Sequence, residues 1–119
     1  MAYKQVLYDV TKAPFHVLKS SQFNREFLEN LCELTDTIRR YDKTRDSLLY
    51  LQNLLSDKRA ILYFTQPSTR TFLSFQSACQ VLGLKTSEIR DPATSSERKG
   101  ESIEDSLRTF SSYVDIIIM

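Results

Sequence analysis

The chain has 119 residues, of which 41% are hydrophobic and 26% are charged, and its formal net charge is +1. This size predicts one domain with a buried core, and the near-neutral charge argues against a nucleic-acid partner. The longest purely apolar run, 116–119, is far shorter than the roughly 20 residues that cross a bilayer. Because the N-terminus also shows no secretory-signal pattern, we expect a cytoplasmic protein whose partner is a small molecule or a protein.

The first half of the chain predicts an arm followed by two helices. Residues 1–20 show no regular period and are interpreted as the arm. From Asn24 onward, apolar residues recur every three or four positions, which predicts an amphipathic helix with Asn24 as its N-cap. Leucines clustered in 48–55 predict a second, weaker helix that contributes to the core.

The second half alternates predicted strands with predicted helices. The three segments that predict strands are 59–64, 84–89 and 114–119, of which the first and the last are apolar runs. Helical spacing fills both intervals, with Ser68 as the N-cap of the first helix and Gly83 at its end. The order β-α-β-α-β after an N-terminal helix predicts an α/β fold, in which a parallel sheet with right-handed crossovers is flanked by helices.

The cysteines and the histidine argue against a metal site. Cys32 and Cys79 lie far apart with no CxxC spacing, and His16 is the single histidine of the sequence. We predict that both cysteines are buried, reduced thiols.

The segment 67–71 is the candidate anion-binding site. It follows the first strand, at the edge of a parallel sheet where ligands collect and where a helix start offers free N–H groups. The hydroxyls of Ser68, Thr69 and Thr71 add donors, and the planar guanidinium of Arg70 is able to bind two phosphate oxygens. The segment lacks the glycines of nucleotide-binding loops. On composition alone it is equally well interpreted as a helix cap followed by a solvated arginine.

The segment 64–83 resembles the carbamoyl phosphate signature of the aspartate and ornithine carbamoyltransferases. The residues that carry the resemblance are FTQPSTRTFLSF at 64–75, Ala78, Leu82-Gly83, SSERKGES at 95–102, Asp105 and Tyr113-Val114-Asp115. One position departs from the family pattern, because Phe72 stands where an arginine is usual.

The resemblance implies a role for each residue of the candidate site. Ser68, Thr69, Arg70 and Thr71 would bind the phosphate of carbamoyl phosphate, and Arg70 and Thr71 would act in catalysis. The implied reaction is attack by the amine of L-aspartate on the carbamoyl carbon, which gives N-carbamoyl-L-aspartate and phosphate in pyrimidine biosynthesis. It requires no metal or organic cofactor.

The resemblance also implies a site shared between subunits. Ser95 and Lys99 match residues of a loop that enters the active site of the neighbouring subunit in a homotrimer. A solvated loop charge is the alternative interpretation of Lys99. Aspartate is favoured over ornithine as the acceptor, because the ornithine branch usually lacks this lysine.

We interpret 1–119 as the N-terminal part of the carbamoyl phosphate-binding domain, with the amino-acid-binding domain absent from this sequence. The 119-residue chain by itself is therefore expected to be inactive. Two alternatives remain open at this stage, namely a non-catalytic phosphate-binding or assembly relative and an ornithine carbamoyltransferase.

Overall fold

The computed structural model of the chain describes residues 14–41, 43–90, 100 and 102–119. In chain order the elements are α1 (Arg25–Tyr41), α2 (Arg45–Leu54), β1 (Arg59–Tyr63), α3 (Thr69–Val81), β2 (Lys85–Ile89), α4 (Ile103–Ser111) and β3 (Ile116–Ile118). A 3-10 turn that the sequence did not predict, Ser20–Gln22, precedes α1. The chain divides into two compact units, Met1–Ser47 and Leu48–Met119.

Helix α1 begins as its sequence predicts. The backbone N–H of Phe27 donates to Oδ1 of Asn24 at 2.8 Å, which is the expected N-cap bond. The rings of Phe23 and Phe27 stack with their centroids 5.0 Å apart across the start of the helix. The prediction that Cys32 is buried is wrong, because its thiol is exposed. No residue of α1 is buried, and the neighbouring Leu31 of its apolar row is exposed as well, so this helix offers no buried position for Cys32.

The second unit contains a parallel sheet with strand order β2-β1-β3. This arrangement confirms the α/β fold that the sequence predicts. The central strand β1 is buried from Ala60 to Tyr63, and Ala60 and Leu62 are fully inaccessible to solvent. A strand buried on both faces requires the continuous apolar run that these residues provide.

The two crossover helices cover opposite faces of β1. Ala60 and Leu62, on one face, form a core cluster with Phe72 and Cys79 of α3. On the other face, the ring of Tyr63 lies 5.7 Å from the ring of Phe110 in α4. Helix α3 follows the carboxyl end of β1, which is the edge where open α/β sheets bind ligands.

Helix α3 ends at the predicted glycine. Gly83 has a φ of +81°, a left-handed conformation in which residues with a Cβ are strained. The adjacent Leu82 carbonyl accepts a hydrogen bond of 2.9 Å from the N–H of Leu55, so this turn also anchors the segment that follows α2. Cys79, near the end of α3, is buried as predicted, and burial raises the pKa of its thiol.

Within the described ranges, no helix combines the length and the apolar character needed to span a membrane.

Candidate anion-binding site

The candidate site lies where the chain leaves the carboxyl end of β1 and enters α3. The N–H of Phe64 donates to the carbonyl of Ile89 at 2.8 Å, which extends the pairing with β2 one residue beyond β1. The ring of Phe64 packs edge-on against the ring of Phe72, with the two centroids 5.6 Å apart. The centroid of the Phe75 ring lies 6.5 Å from that of Phe64. The first turn of α3 is therefore fixed to the end of the sheet on the apolar side of the helix.

The start of α3 is not capped by a side chain. Ser68 occupies the N-cap position as predicted, and its carbonyl accepts the N–H of Phe72 at 3.0 Å. Its hydroxyl makes no capping hydrogen bond, whereas Ser102 caps α4 by accepting the N–H of Asp105 at 3.2 Å. The structure therefore argues against the interpretation of Ser68 as only a helix cap.

The first-turn N–H groups of α3 have no acceptor among the described residues. In the part of the chain that the structure describes, no hydrogen bond is donated by the N–H of Thr69, Arg70 or Thr71. The first turn also contains no acidic residue, while the first turns of α1, α2 and α4 each contain at least one. The positive end of the α3 dipole is therefore not neutralised within its own first turn.

The side chains of this turn add polar groups and a charge at the same place. Thr69, Arg70 and Thr71 are all exposed, and Ser68 is half-buried. Among the described residues, no carboxylate forms an ion pair with Arg70. Free N–H donors, hydroxyls and an unpaired guanidinium form a site that favours a multiply charged oxyanion such as phosphate.

Phe72, the residue that departs from the family pattern, is part of the hydrophobic core. Its side chain is 2% exposed, and the guanidinium carbon of Arg90 lies 4.1 Å from the centroid of its ring. Arg90 is not among the site residues that the sequence predicts. The available signal was its position, because Arg90 directly follows a predicted strand, at the edge where the candidate anion site also lies.

Two of the predicted site residues, Ser95 and Lys99, lie outside the described residues. The structure brings Ser68, Thr69, Arg70 and Thr71 together in one loop and one helical turn. Within the described ranges, no cluster of three or more His, Cys, Asp or Glu side chains is suited to a metal ion.

Residues 16–119 match the sequence model of the family described as "Aspartate/ornithine carbamoyltransferase, carbamoyl-P binding domain". The chain belongs to this family, as the signature at 64–83 indicated. One curated relative is the aspartate carbamoyltransferase catalytic subunit of Methanothrix thermoacetophila. It is 35% identical over 104 residues, an alignment that covers 87% of this chain and 33% of the relative.

Solved structures of two relatives share the fold. Aspartate transcarbamoylase from Trypanosoma cruzi, in complex with carbamoyl phosphate and aspartate, matches with a TM-score of 0.72 and 30% identity. That match covers 85% of this chain and 30% of the other. The catalytic subunit of the M. jannaschii enzyme matches with a TM-score of 0.61 and 33% identity, covering 86% and 32%. The chain thus spans about a third of the length of the relatives it matches.

Proposed function

We propose that the chain is the carbamoyl phosphate-binding part of an aspartate carbamoyltransferase. The enzyme transfers the carbamoyl group of carbamoyl phosphate to the α-amine of L-aspartate, which gives N-carbamoyl-L-aspartate and inorganic phosphate for pyrimidine biosynthesis. The observation that carries the proposal is the uncapped, acid-free first turn of α3, which presents free N–H groups beside Arg70. The named activity of the aspartate carbamoyltransferase relatives supports aspartate as the acceptor.

In this proposal the α3 turn binds the phosphate and stabilises it as it leaves. Ser68, Thr69, Arg70 and Thr71 donate to the phosphate oxygens, and the dipole of α3 adds positive potential. Thr71 also donates to the carbamoyl oxygen, which polarises the carbonyl as the amine attacks. Arg70 offsets the negative charge that grows on phosphate when the C–O bond breaks. Holding both substrates in contact lowers the barrier further.

The remaining parts of the site are proposed from the resemblance. Ser95 and Lys99 enter the active site of a neighbouring subunit, which makes the protein a homotrimer. Residues 1–119 provide the N-terminal part of the carbamoyl phosphate domain, and the aspartate-binding residues lie outside this sequence. We also propose that the enzyme acts in the cytoplasm.

The experiment compares wild type with Arg70→Ala in the intact protein, with Arg108→Ala as a control. Arg108 is an exposed arginine in the last turn of α4. We expect formation of carbamoyl aspartate by the wild type and the control, and a loss of at least about 100-fold in kcat/KM in Arg70→Ala.

Repeating the assay with ornithine in place of aspartate distinguishes an ornithine carbamoyltransferase and a non-catalytic relative from the proposed enzyme. A wild-type protein that carbamoylates ornithine but not aspartate would be an ornithine carbamoyltransferase. A protein that binds carbamoyl phosphate, loses it on Arg70→Ala and yields neither product would be a non-catalytic relative.

A further inference from the structure

Arg90 lies at the same edge of the sheet as the candidate anion site. It directly follows β2, whose last residue, Ile89, pairs with Tyr63 at the end of β1. The strands are parallel, so their carboxyl ends meet at one edge, and the loop 64–68 leaves from this edge toward α3. The fold therefore places a second arginine at the edge from which the loop 64–68 leads to Arg70 in the first turn of α3.

The ring of Phe72 fixes the position of this second arginine. The guanidinium carbon of Arg90 is 4.1 Å from the Phe72 centroid, within the range of a cation–π contact. Phe72 belongs to the first turn of α3 and is next to Thr71, and its ring is held in the core against Phe64. The contact consequently holds Arg90 against the turn whose N–H groups are free.

The exposure of Arg90 and the lack of an ion-pair partner among the described residues suit ligand binding better than a purely structural role. The residue is exposed, and in the described part of the chain no carboxylate forms an ion pair with it. A guanidinium over an aromatic ring uses its π face and keeps N–H donors in its plane for an oxyanion. A phosphate group carries about two negative charges at neutral pH, more than the single charge of Arg70 neutralises.

We propose that Arg90 is a second phosphate-binding cation of this site and that the ring of Phe72 holds it in place. The proposal rests on the proposed function, because it takes carbamoyl phosphate as the ligand. It assigns Phe72 a direct part in the site, as the support of a cation supplied by the neighbouring strand.

The experiment measures binding of carbamoyl phosphate and of inorganic phosphate to the intact protein at low ionic strength. The variants are Arg90→Gln, Arg90→Lys, Phe72→Leu and the double variant Arg90→Gln/Phe72→Leu. Lys85→Gln is the matched control, because Lys85 is an exposed cation at the opposite end of the same strand. Thermal unfolding of each variant shows that it is folded.

We expect Arg90→Gln to raise Kd for both ligands by about tenfold and Lys85→Gln to leave it unchanged. Arg90→Lys keeps the charge but loses the planar fork, so its Kd is expected to lie between those of wild type and Arg90→Gln. Phe72→Leu weakens binding when Arg90 is present and adds no further loss in the double variant. This non-additivity is the signature of a ring that acts through Arg90.

Failure of the inference is distinguishable from failure of the proposed function. If Arg70→Ala abolishes binding while Arg90→Gln behaves like Lys85→Gln, Arg90 is not a ligand residue and the inference is overturned. If Phe72→Leu lowers affinity equally with and without Arg90, the supporting role of the ring is overturned. If wild type binds neither ligand, the proposed function fails and the inference fails with it.

Discussion

Asp115 contacts the backbone of Arg59 at two points, at the amino end of the central strand. The N–H of Arg59 donates to Oδ2 of Asp115 at 3.0 Å, and the N–H of Asp115 donates to the carbonyl of Arg59 at 2.9 Å. The second bond extends the pairing of β1 with β3, which begins at Ala60 and Ile116. In the first bond, a side-chain oxygen accepts the N–H of Arg59, which the short strand β3 leaves unpaired.

We expect Asp115→Ala to lower the free energy of unfolding by about 1 kcal/mol, because the Arg59 N–H loses its side-chain acceptor. Asp115→Asn keeps an oxygen in the same place, so the loss is expected to be smaller. Urea denaturation of both variants against wild type measures the difference. Equal stability of Asp115→Ala and wild type would show that water replaces the carboxylate without cost.

Gly83 and Gly100 both have a positive φ, so alanine substitutions at the two positions compare the loss of stability with and without a nearby backbone. Their φ angles are +81° and +90°, but a Cβ on Gly83 would overlap the backbone carbonyl of Gln52 in α2, whereas no atom of the described residues lies within 4 Å of a Cβ on Gly100. We expect Gly100→Ala to cost about 1 kcal/mol from backbone strain and Gly83→Ala to cost at least about 3 kcal/mol. Chemical denaturation measures both. Similar losses would show that α2 moves aside without cost.

Ser68 and Ser102 are the N-cap residues of α3 and α4, and of the two only Ser102 makes a capping hydrogen bond. Ser102→Ala removes a capping hydrogen bond and is expected to destabilise the protein by about 1 kcal/mol. Ser68→Ala removes no capping bond, so stability is expected to change little, while affinity for carbamoyl phosphate falls because a phosphate donor is lost. Thermal unfolding and ligand titration of both variants separate the two effects. A large stability loss in Ser68→Ala would return this serine to a capping role.

The two cysteines are expected to react at very different rates with Ellman's reagent near pH 8. Cys32 is exposed, whereas burial of Cys79 disfavours the thiolate and raises the pKa of its thiol. One fast equivalent of reactive thiol is expected, absent in Cys32→Ser and retained in Cys79→Ala. Two fast equivalents in the native protein would contradict the burial of Cys79.

The raised pKa of Cys79 also predicts the sign of a pH effect on stability. The native state keeps the Cys79 proton at pH values where the unfolded chain releases it, above about 8.5. The free energy of unfolding is therefore expected to fall as the pH rises through this value. Denaturation of wild type and Cys79→Ala from pH 7 to about 10 measures the effect. An identical pH dependence in both would exclude Cys79 as its source.

Much of the fold follows from local sequence patterns. The apolar run around β1 predicts a buried strand, the spacing from Phe72 to Cys79 predicts the core face of α3, and Gly83 predicts where that helix ends. Each of these signals involves only a few consecutive residues, because side-chain period and turn chemistry are properties of the local backbone. The same local signals predicted that Ser68 would stand at the N-cap of α3, whereas anion binding at 68–71 stays a prediction.

Other features depend on contacts between residues that are distant in the sequence. The prediction for Cys32 was wrong because the periodicity of α1 defines an apolar face but does not show whether another part of the chain buries the helix. The strand order β2-β1-β3 depends on which strands pair, and no local signal encodes this choice. The missing capping hydrogen bond of Ser68 was also not predictable, because serine at an N-cap ordinarily makes this bond.

The sequence by itself determined the order of the α-helices and strands, the α/β class and the helix start that carries Ser68, Thr69, Arg70 and Thr71. Only the tertiary structure decided that Arg90 lies over the ring of Phe72 beside this loop. The physical reason is that β2 pairs in parallel with β1, which brings the residue after one strand next to the helix that follows the other. Such proximity arises from strand pairing and burial over long sequence separations, which local periodicity does not record.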